Sequence, residues 1–160
     1  MAQTEKQLVL RFIDEVANRA DLDIVDELVH ADFFSHEVAA SRGSGPAAVK
    51  QTIRRLHEAF AGFRVEYRDV LAENGRVAIR VRVSGRHVGE YHGLAPSGHE
   101  WSVQQIHIVR VVDGKLIEHW ASRDDLGALR QLGLLPPLRD TAVPSGSRTS
   151  AIRLAEETCS

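Results

Sequence analysis

The sequence predicts one α+β domain, with helices first and an antiparallel sheet after them. Three observations carry that expectation. Apolar residues recur at helical spacing up to about position 60, then alternate with polar ones. Two dipeptides, Asn74-Gly75 and Asp113-Gly114, mark tight turns between alternating runs. Helices grouped ahead of hairpin-linked strands exclude a doubly wound sheet, which would interleave the two. A chain of 160 residues with 43% hydrophobic content suits a single core.

Thr4-Glu5-Lys6-Gln7 reads as a capping box, with Thr4 as N-cap. Leu8, Phe12, Ile13 and Val16 continue that helix, and Asn18-Arg19-Ala20-Asp21 breaks it. Asp21 can cap a short second helix ending near Leu28. Arg42-Gly43-Ser44-Gly45-Pro46 is a loop that places Pro at the start of a third helix. Val49, Ile53, Leu56 and Phe60 form its apolar face, opposite Lys50, Arg54, Arg55 and Glu58. Phe63, Val65 and Tyr67 then alternate with Arg64, Glu66 and Arg68, and Val77, Ile79, Val81 and Val83 alternate with Ala78, Arg80, Arg82 and Ser84. A loop carrying Gly89, Gly93, Pro96 and Gly98 precedes a long strand over 101–112 and its partner over 115–121. A last helix is expected over 125–132, stopped by Gly133.

The last two strands carry apolar groups on both faces: Ile106 and Ile108 against Val109 and Val111, then Leu116 and Trp120 against Ile117. Such strands need two covers, and a homodimer (or tetramer) formed through the sheet is expected. The domain is assigned to residues 1–137. Residues 138–160 are rich in Ser, Thr, Pro and Arg and read as a flexible tail, with one or two helical turns possible over 151–157.

Composition excludes several functions. A net charge of −2 without clustered Lys and Arg gives no nucleic-acid surface. No apolar run is long enough for a bilayer, and the N-terminus lacks a signal-peptide pattern, so no membrane partner is expected. The single cysteine, Cys159, can form no internal disulfide and no Cys-based zinc site, which fits a reducing, cytoplasmic location. The eight histidines are scattered, with no His-Glu-x-x-His, so no metal is expected. Gly43-Ser44-Gly45 lacks the third glycine of a phosphate loop, and there is no Gly-x-Ser-x-Gly elbow.

A curved sheet wrapped over helices leaves a cavity, and polar residues facing it must be paired or used. The candidates are His36, His87, His107, His119, Asp124, Arg80, Arg82, Gln105 and Glu118. Alternation puts Gln105 and His107 on the face of Trp101, Val103, Val109 and Val111. An imidazole there is either a core histidine with one backbone partner or part of a site. Arg80 and Arg82 share a strand face, as solvated charges or as pocket ion pairs.

Gly85-Arg86-His87-Val88-Gly89-Glu90-Tyr91-His92-Gly93-Leu94-Ala95-Pro96-Ser97-Gly98 resembles the Gly-Thr-His-x-Gly-Glu-Phe-x-Gly-x-x-Pro-Thr-Gly stretch of the SnoaL-like polyketide cyclases, or ester cyclases. Asp113-Gly114-Lys115-Leu116-Ile117-Glu118-His119-Trp120-Ala121-Ser122-Arg123-Asp124 is similar to the family's Asp-Gly-Lys-Ile-x-Glu-x-Trp-x-x-x-Asp segment, and Gln131-Leu132-Gly133 to its terminal Gln-Leu-Gly. The resemblance spans about residues 5–136. It implies the NTF2-like cone, in which N-terminal helices pack on a curved antiparallel or mixed sheet around a pocket, usually as a dimer or tetramer.

The resemblance further implies a cofactor-independent acid–base enzyme, an intramolecular aldol-type cyclase of a polyketide or related polycarbonyl ester. It puts Asp124 at the catalytic aspartate position, moving a proton from an activated carbon. His107 is expected beside it as hydrogen-bond donor to the developing enolate. The expected substrate-binding residues are His36, His87, Gln105, Trp120 and Arg82, around a small hydrophobic polycarbonyl molecule. Asp124 also stands where an N-cap is favoured, Ser122 is a rival cap, and Asp125 is the alternative acid. Arg86, Ser97 and His99 depart from the family pattern. The same pocket could otherwise serve a hydrolase, dehydratase or isomerase (epoxide opening included), or a non-catalytic small-molecule binder.

Overall fold

The computed structural model describes residues 2–37 and 43–136. The expected tail at 138–160, its 151–157 turns and Cys159 lie outside the described residues. Helix α1 (Ala2–Arg11) runs directly into a π-helical stretch, Phe12–Asn18. A four-residue helix, α2 (Val25–Leu28), leads into strand β1 (Val29–Ser35), and α3 covers Gly45–Ala59. Four long strands follow: β2 (Phe60–Glu73), β3 (Arg76–His87), β4 (Glu100–Val112) and β5 (Lys115–Arg123). Helix α4 (Asp125–Gln131) closes the described fold.

The strands form one sheet in the order β1-β5-β4-β3-β2. β1 runs parallel to β5, and all other neighbours are antiparallel. Both expected hairpins are present. Asn74 and Gly75 have φ of 50° and 72°, and Asp113 and Gly114 have 49° and 72°, the left-handed pair that matches strand twist. Val77, Ile79, Val81 and Val83 are buried, as their alternation requires, and pack with Val9, Ile13, Val16, Val25, Leu28, Val49 and Ile53 of the helices. Among the described residues no helix is long and apolar enough to cross a membrane.

Two local expectations are corrected, and one strand is new. Helix α1 already includes Ala2, so Thr4 lies inside it and caps nothing. Ile24 occupies the N-cap position of α2, while Asp21 accepts a hydrogen bond from the Asp23 amide at 3.2 Å. Strand β1 has no clean alternation in Val29-His30-Ala31-Asp32-Phe33-Phe34-Ser35 and is held by its parallel pairing with β5. The π-helical stretch contains neither Pro nor Gly, so its sequence carries no signal for it. At its end the Asn18 amide donates to the Val65 carbonyl at 3.0 Å and accepts from the Val65 amide at 2.8 Å, pinning the helix to β2.

The loop after β3 docks on the end of α3, where Val88 and Gly89 amides donate to the Ala59 carbonyl at 2.8 and 3.0 Å. A Cβ on Gly89 would lie 2.4 Å from the Glu58 carbonyl oxygen and 3.1 Å from the Ala59 Cα. Backbone cannot move aside as a side-chain tip can. Gly89→Ala is therefore expected to destabilise the fold by about 2 kcal/mol, from forced overpacking. Urea unfolding measures this, and an unchanged midpoint would mean that the loop is free to shift.

Candidate active site

Between the helices and the concave sheet face lies a cavity of about 860 Å³, the size of a small-molecule site. Val9, Phe12 and Ile13 line it from the first helix, Val49, Ile53 and Leu56 from α3, and Ile79, Val81 and Val83 from β3. Polar groups on its wall come from Ser35, Glu37, His87, Tyr91, Gln105, His107, His119, Arg123 and Asp125.

The register of β5 decides which of these face inward. Arg110 pairs with Glu118, but Val111 pairs with Leu116, so Ile117 is an extra residue in β5. The bulge reverses the alternation. Leu116 faces the cavity, and past the bulge so do His119, Ala121 and Arg123. Strict alternation would have left Trp120 beside Leu116. Trp120 is instead on the outer face and does not line the cavity, which corrects its expected role as a substrate-binding wall.

Gln105 and His107 project inward as alternation requires. His107 Nε2 lies 2.9 Å from Gln105 Oε1, and its Nδ1 lies 2.8 Å from His119 Nε2. His119 Nδ1 lies 3.0 Å from Ser35 Oγ and 3.8 Å from Glu37 Oε2. Glu37 is ion-paired with Arg123. Burial first, then the proximity of His119 and Arg123, lowers the His107 pKa from 6.5 to about 3. Burial first, then Arg123 and His36, lowers that of His119 to about 4. Glu37 would favour a charged His119, but its charge is already taken up by Arg123, so burial wins. Both rings are neutral at physiological pH.

His87 is fully buried and borders the cavity. The Ser97 amide donates to its Nδ1 at 3.2 Å, so the ring proton sits on Nε2. That Nε2 and Trp101 Nε1 are buried without a partner among the described residues, and both rings pack on Phe60 at 5.4 and 5.1 Å between centroids. An unmet buried donor costs roughly 1–3 kcal/mol, which a ligand oxygen or a water would recover.

Asp124 is exposed and caps α4, its Oδ1 accepting from the Gly127 amide at 2.8 Å. It is not a wall residue, whereas its neighbours Arg123 and Asp125 are. A Cβ at position 127 would fall 2.2 Å from Asp124 Oδ2, so Gly127 leaves room for this carboxylate.

The remaining expected residues lie at or beyond the rim. His36 borders the cavity mouth, but its ring stacks on Trp120 at 4.5 Å and 6°, and its Nε2 meets Glu118 at 3.3 Å. Glu118 also pairs with Arg110 on the outer face, and Arg110 lowers its pKa. Arg82 is exposed, because the inward Val81 and Val83 beside it force it outward, and it does not line the cavity; this corrects its expected contact with substrate. Arg80 likewise turns out to Asp69 at 2.6 Å and Gln104 at 2.8 Å. Sequence reasoning left Ser35, Glu37 and Arg123 out of the site. Arg123 faces inward only because of the β5 bulge, and Ser35 and Glu37 reach the wall through the parallel pairing of β1 with β5; both features are invisible without the register. Among the described residues no three His, Cys, Asp or Glu side chains cluster closely enough to hold a metal ion.

An open α+β cone with an apolar, substrate-sized cavity and a strip of neutral imidazoles defines a small-molecule acid–base site. The SnoaL-like polyketide cyclase family model matches residues 7–132. Aklanonic acid methyl ester cyclase DnrD of Streptomyces peucetius is 34% identical over 137 residues, covering 81% of this chain and 91% of its own. Nogalonic acid methyl ester cyclase of Streptomyces nogalater is 33% identical over 119 residues, covering 72% and 88%. The structure of TsrD from Streptomyces laurentii superposes with a TM-score of 0.77 at 29% identity, covering 84% of this chain and 98% of that one. The chain belongs to the SnoaL-like polyketide cyclase family. It is an enzyme, a polyketide cyclase, as its resemblance implied.

Proposed function

We propose that this cyclase closes a ring in an aromatic polyketide methyl ester by intramolecular aldol addition, using side chains alone. The observation that carries the reading is the hydrogen-bonded polar strip, Gln105-His107-His119-Ser35, on the wall of a mainly apolar cavity of about 860 Å³. Aldol closure needs little more: a folded substrate, exclusion of water, one proton acceptor and one donor. The conjugated carbonyls of the substrate spread the enolate charge.

In this mechanism the Asp124 carboxylate takes a proton from the carbon flanked by the ester and a ketone. The resulting enolate carbon attacks a second carbonyl of the same molecule, forming the C–C bond, and the new alkoxide is protonated. Product and substrate are isomers. Asp124 is exposed at the cavity mouth between the wall residues Arg123 and Asp125, and this mechanism requires the bound substrate to reach out to it there. Neutral His107 donates a hydrogen bond to the developing oxyanion. The buried Nε2–H of His87 offers a second donor, suited to the ester carbonyl. His36, at the mouth, orients the end of the substrate nearest solvent.

Incubating the protein with aklanonic acid methyl ester and nogalonic acid methyl ester tests this directly. The expected product has the mass of the substrate, one fewer ketone and one new hydroxyl-bearing ring carbon by NMR. The free acids should react much more slowly, because a carboxylate beside the forming enolate repels its charge. Recovery of both esters unchanged by folded protein would remove this substrate class.

We also propose that the outer sheet face pairs with a second copy of the chain. Ile106 is 52% and Phe34 48% exposed there, beside Ile108 and the His36–Trp120 stack, an apolar patch suited to a self-complementary contact. Sedimentation should give a dimer, converted to monomer by Ile106→Arg. A wild-type monomer at micromolar concentration would refute the pairing. The reducing cytoplasm is the setting we propose, since the single cysteine calls for no disulfide.

A further inference from the structure

The strip on the cavity wall is a continuous hydrogen-bond chain. Ser35 Oγ, His119 and His107 are joined at 3.0 and 2.8 Å, and the chain ends on Gln105 at 2.9 Å. The two imidazoles stack with centroids 5.1 Å apart and planes 17° from parallel. Every ring nitrogen has a partner, and the four residues all border the cavity. Four apolar side chains would pack this wall at less cost than buried rings that must be satisfied at each nitrogen. The arrangement calls for a use.

Two neutral imidazoles in series have two self-consistent proton arrangements. In the inward form the Ser35 hydroxyl donates to His119 Nδ1. His119 Nε2–H then donates to His107 Nδ1, and His107 Nε2–H points to Gln105 Oε1 or to a ligand oxygen. In the outward form His107 Nδ1–H donates to His119 Nε2, His119 Nδ1–H donates to Ser35 Oγ, and the Gln105 amide turns over so that its N–H donates to His107 Nε2. Passing between the forms moves protons along the chain and leaves both rings uncharged. The surroundings reward that neutrality: Arg123 and His36 face His119, Arg123 also acts on His107, and the nearby carboxylate, Glu37, is engaged by Arg123.

We propose that His107 and His119 form a two-imidazole proton wire that protonates the alkoxide created on ring closure. The inference rests on the cyclase reading for its substrate. The alkoxide oxygen replaces Gln105 at His107 Nε2 and takes that proton, forming the product O–H bond, while the N–H electron pair stays on nitrogen. His119 Nε2–H passes its proton to His107 Nδ1. The Ser35 hydroxyl gives one to His119 Nδ1 and receives one from water in the same movement. The proton taken from carbon leaves through Asp124 and neutralises the hydroxide left by that water, so the protons balance and no ring becomes an imidazolium. Once product leaves, cavity water returns a proton to His107 Nε2 while Ser35 releases one, and the chain is back in its inward form. His107 touches the substrate; His119 acts through it.

The chain itself is tested without substrate. In histidine-¹⁵N-labelled wild-type protein at pH 7, nitrogen shifts should report two neutral rings. A through-hydrogen-bond coupling should join His119 Nε2 to His107 Nδ1. Its absence, with the two rings reporting unlinked tautomers, overturns the wire whatever the enzyme does. Kinetics then test its use. In H₂O/D₂O mixtures the wild-type kcat should bow downward with deuterium fraction, as several protons move together. His119→Gln keeps a donor and an acceptor but cannot relay. It should lower kcat on the order of 100-fold, leave KM within about two-fold, and make the deuterium dependence linear. Retained kcat with a bowed dependence would sink the proposal. Wild-type protein that shows the coupling but turns over no polyketide ester would instead count against the cyclase reading, leaving the paired rings in place.

Discussion

Asp124→Asn is expected to reduce kcat for ring closure by roughly 10²- to 10⁴-fold, the usual contribution of a positioned acid–base group. The substitution is close to silent for the fold. Asparagine caps a helix about as well as aspartate, and its amide oxygen can still accept the Gly127 N–H that Asp124 Oδ1 now holds at 2.8 Å. Thermal unfolding should therefore stay within about 1 kcal/mol of wild type, so lost turnover reports chemistry. Asp125→Asn is the necessary companion, because Asp125 borders the cavity and Asp124 does not. If Asp125→Asn is the dead variant and Asp124→Asn retains full turnover, the proton acceptor is Asp125 and Asp124 is a cap. If both turn over normally, no carboxylate at this mouth takes the carbon proton. Gly127→Ala gives an independent reading, since its Cβ would enter the space of the Asp124 carboxylate. It should lower kcat without removing any ionisable group.

The protein is also expected to lose stability steeply as pH falls below 6.5. Burial holds His107 at about 3 and His119 at about 4, against 6.5 for a free imidazole. Above pH 6.5 both rings are neutral in the folded and the unfolded chain, and they add no pH dependence. Between 6.5 and about 4 the unfolded chain binds two protons that the folded protein refuses, so acidification favours unfolding. Each ring contributes about 1 kcal/mol per pH unit, or on the order of 3 kcal/mol for the pair by pH 5. The slope fades as the pH falls through 4 and then 3, where the folded protein takes up the same protons. Urea midpoints at half-unit steps from pH 7.5 to 4.5 measure it, with the His107→Gln, His119→Gln double variant as reference. A wild-type midpoint as flat as that of the double variant would falsify the buried, uncharged assignment.

The sheet was largely legible in the sequence because two forces agree along it. Val77, Ile79, Val81 and Val83 face inward by alternation, and the Asn74-Gly75 and Asp113-Gly114 turns fix where the strands reverse. The same reasoning brought Gln105 and His107 to the cavity wall. It failed wherever one strand depends on another. β1 is a strand because β5 offers it an edge, which seven mixed residues do not announce. Trp120 was assigned inward by counting from Leu116, and the extra residue between them made that count wrong. Glu37 and Arg123 are 86 positions apart, and nothing local in either stretch points to the other. Asp124 illustrates a different limit. Capping and catalysis ask for the same side chain at the same place, so residue type alone separates the two roles poorly.

Ile117 acts as a parity switch. Upstream of it β5 speaks one code of inside and outside; downstream it speaks the complement. A relative that straightened this bulge while keeping Ile117 would turn its histidine and arginine to solvent, with its tryptophan and glutamate facing the ligand. One that lost Ile117 itself would keep the observed facing, since Leu116 and Glu118 already sit in consecutive register. Divergence in ligand choice across such proteins can therefore arise from one backbone irregularity gained or lost, with no change of residue type along the strand.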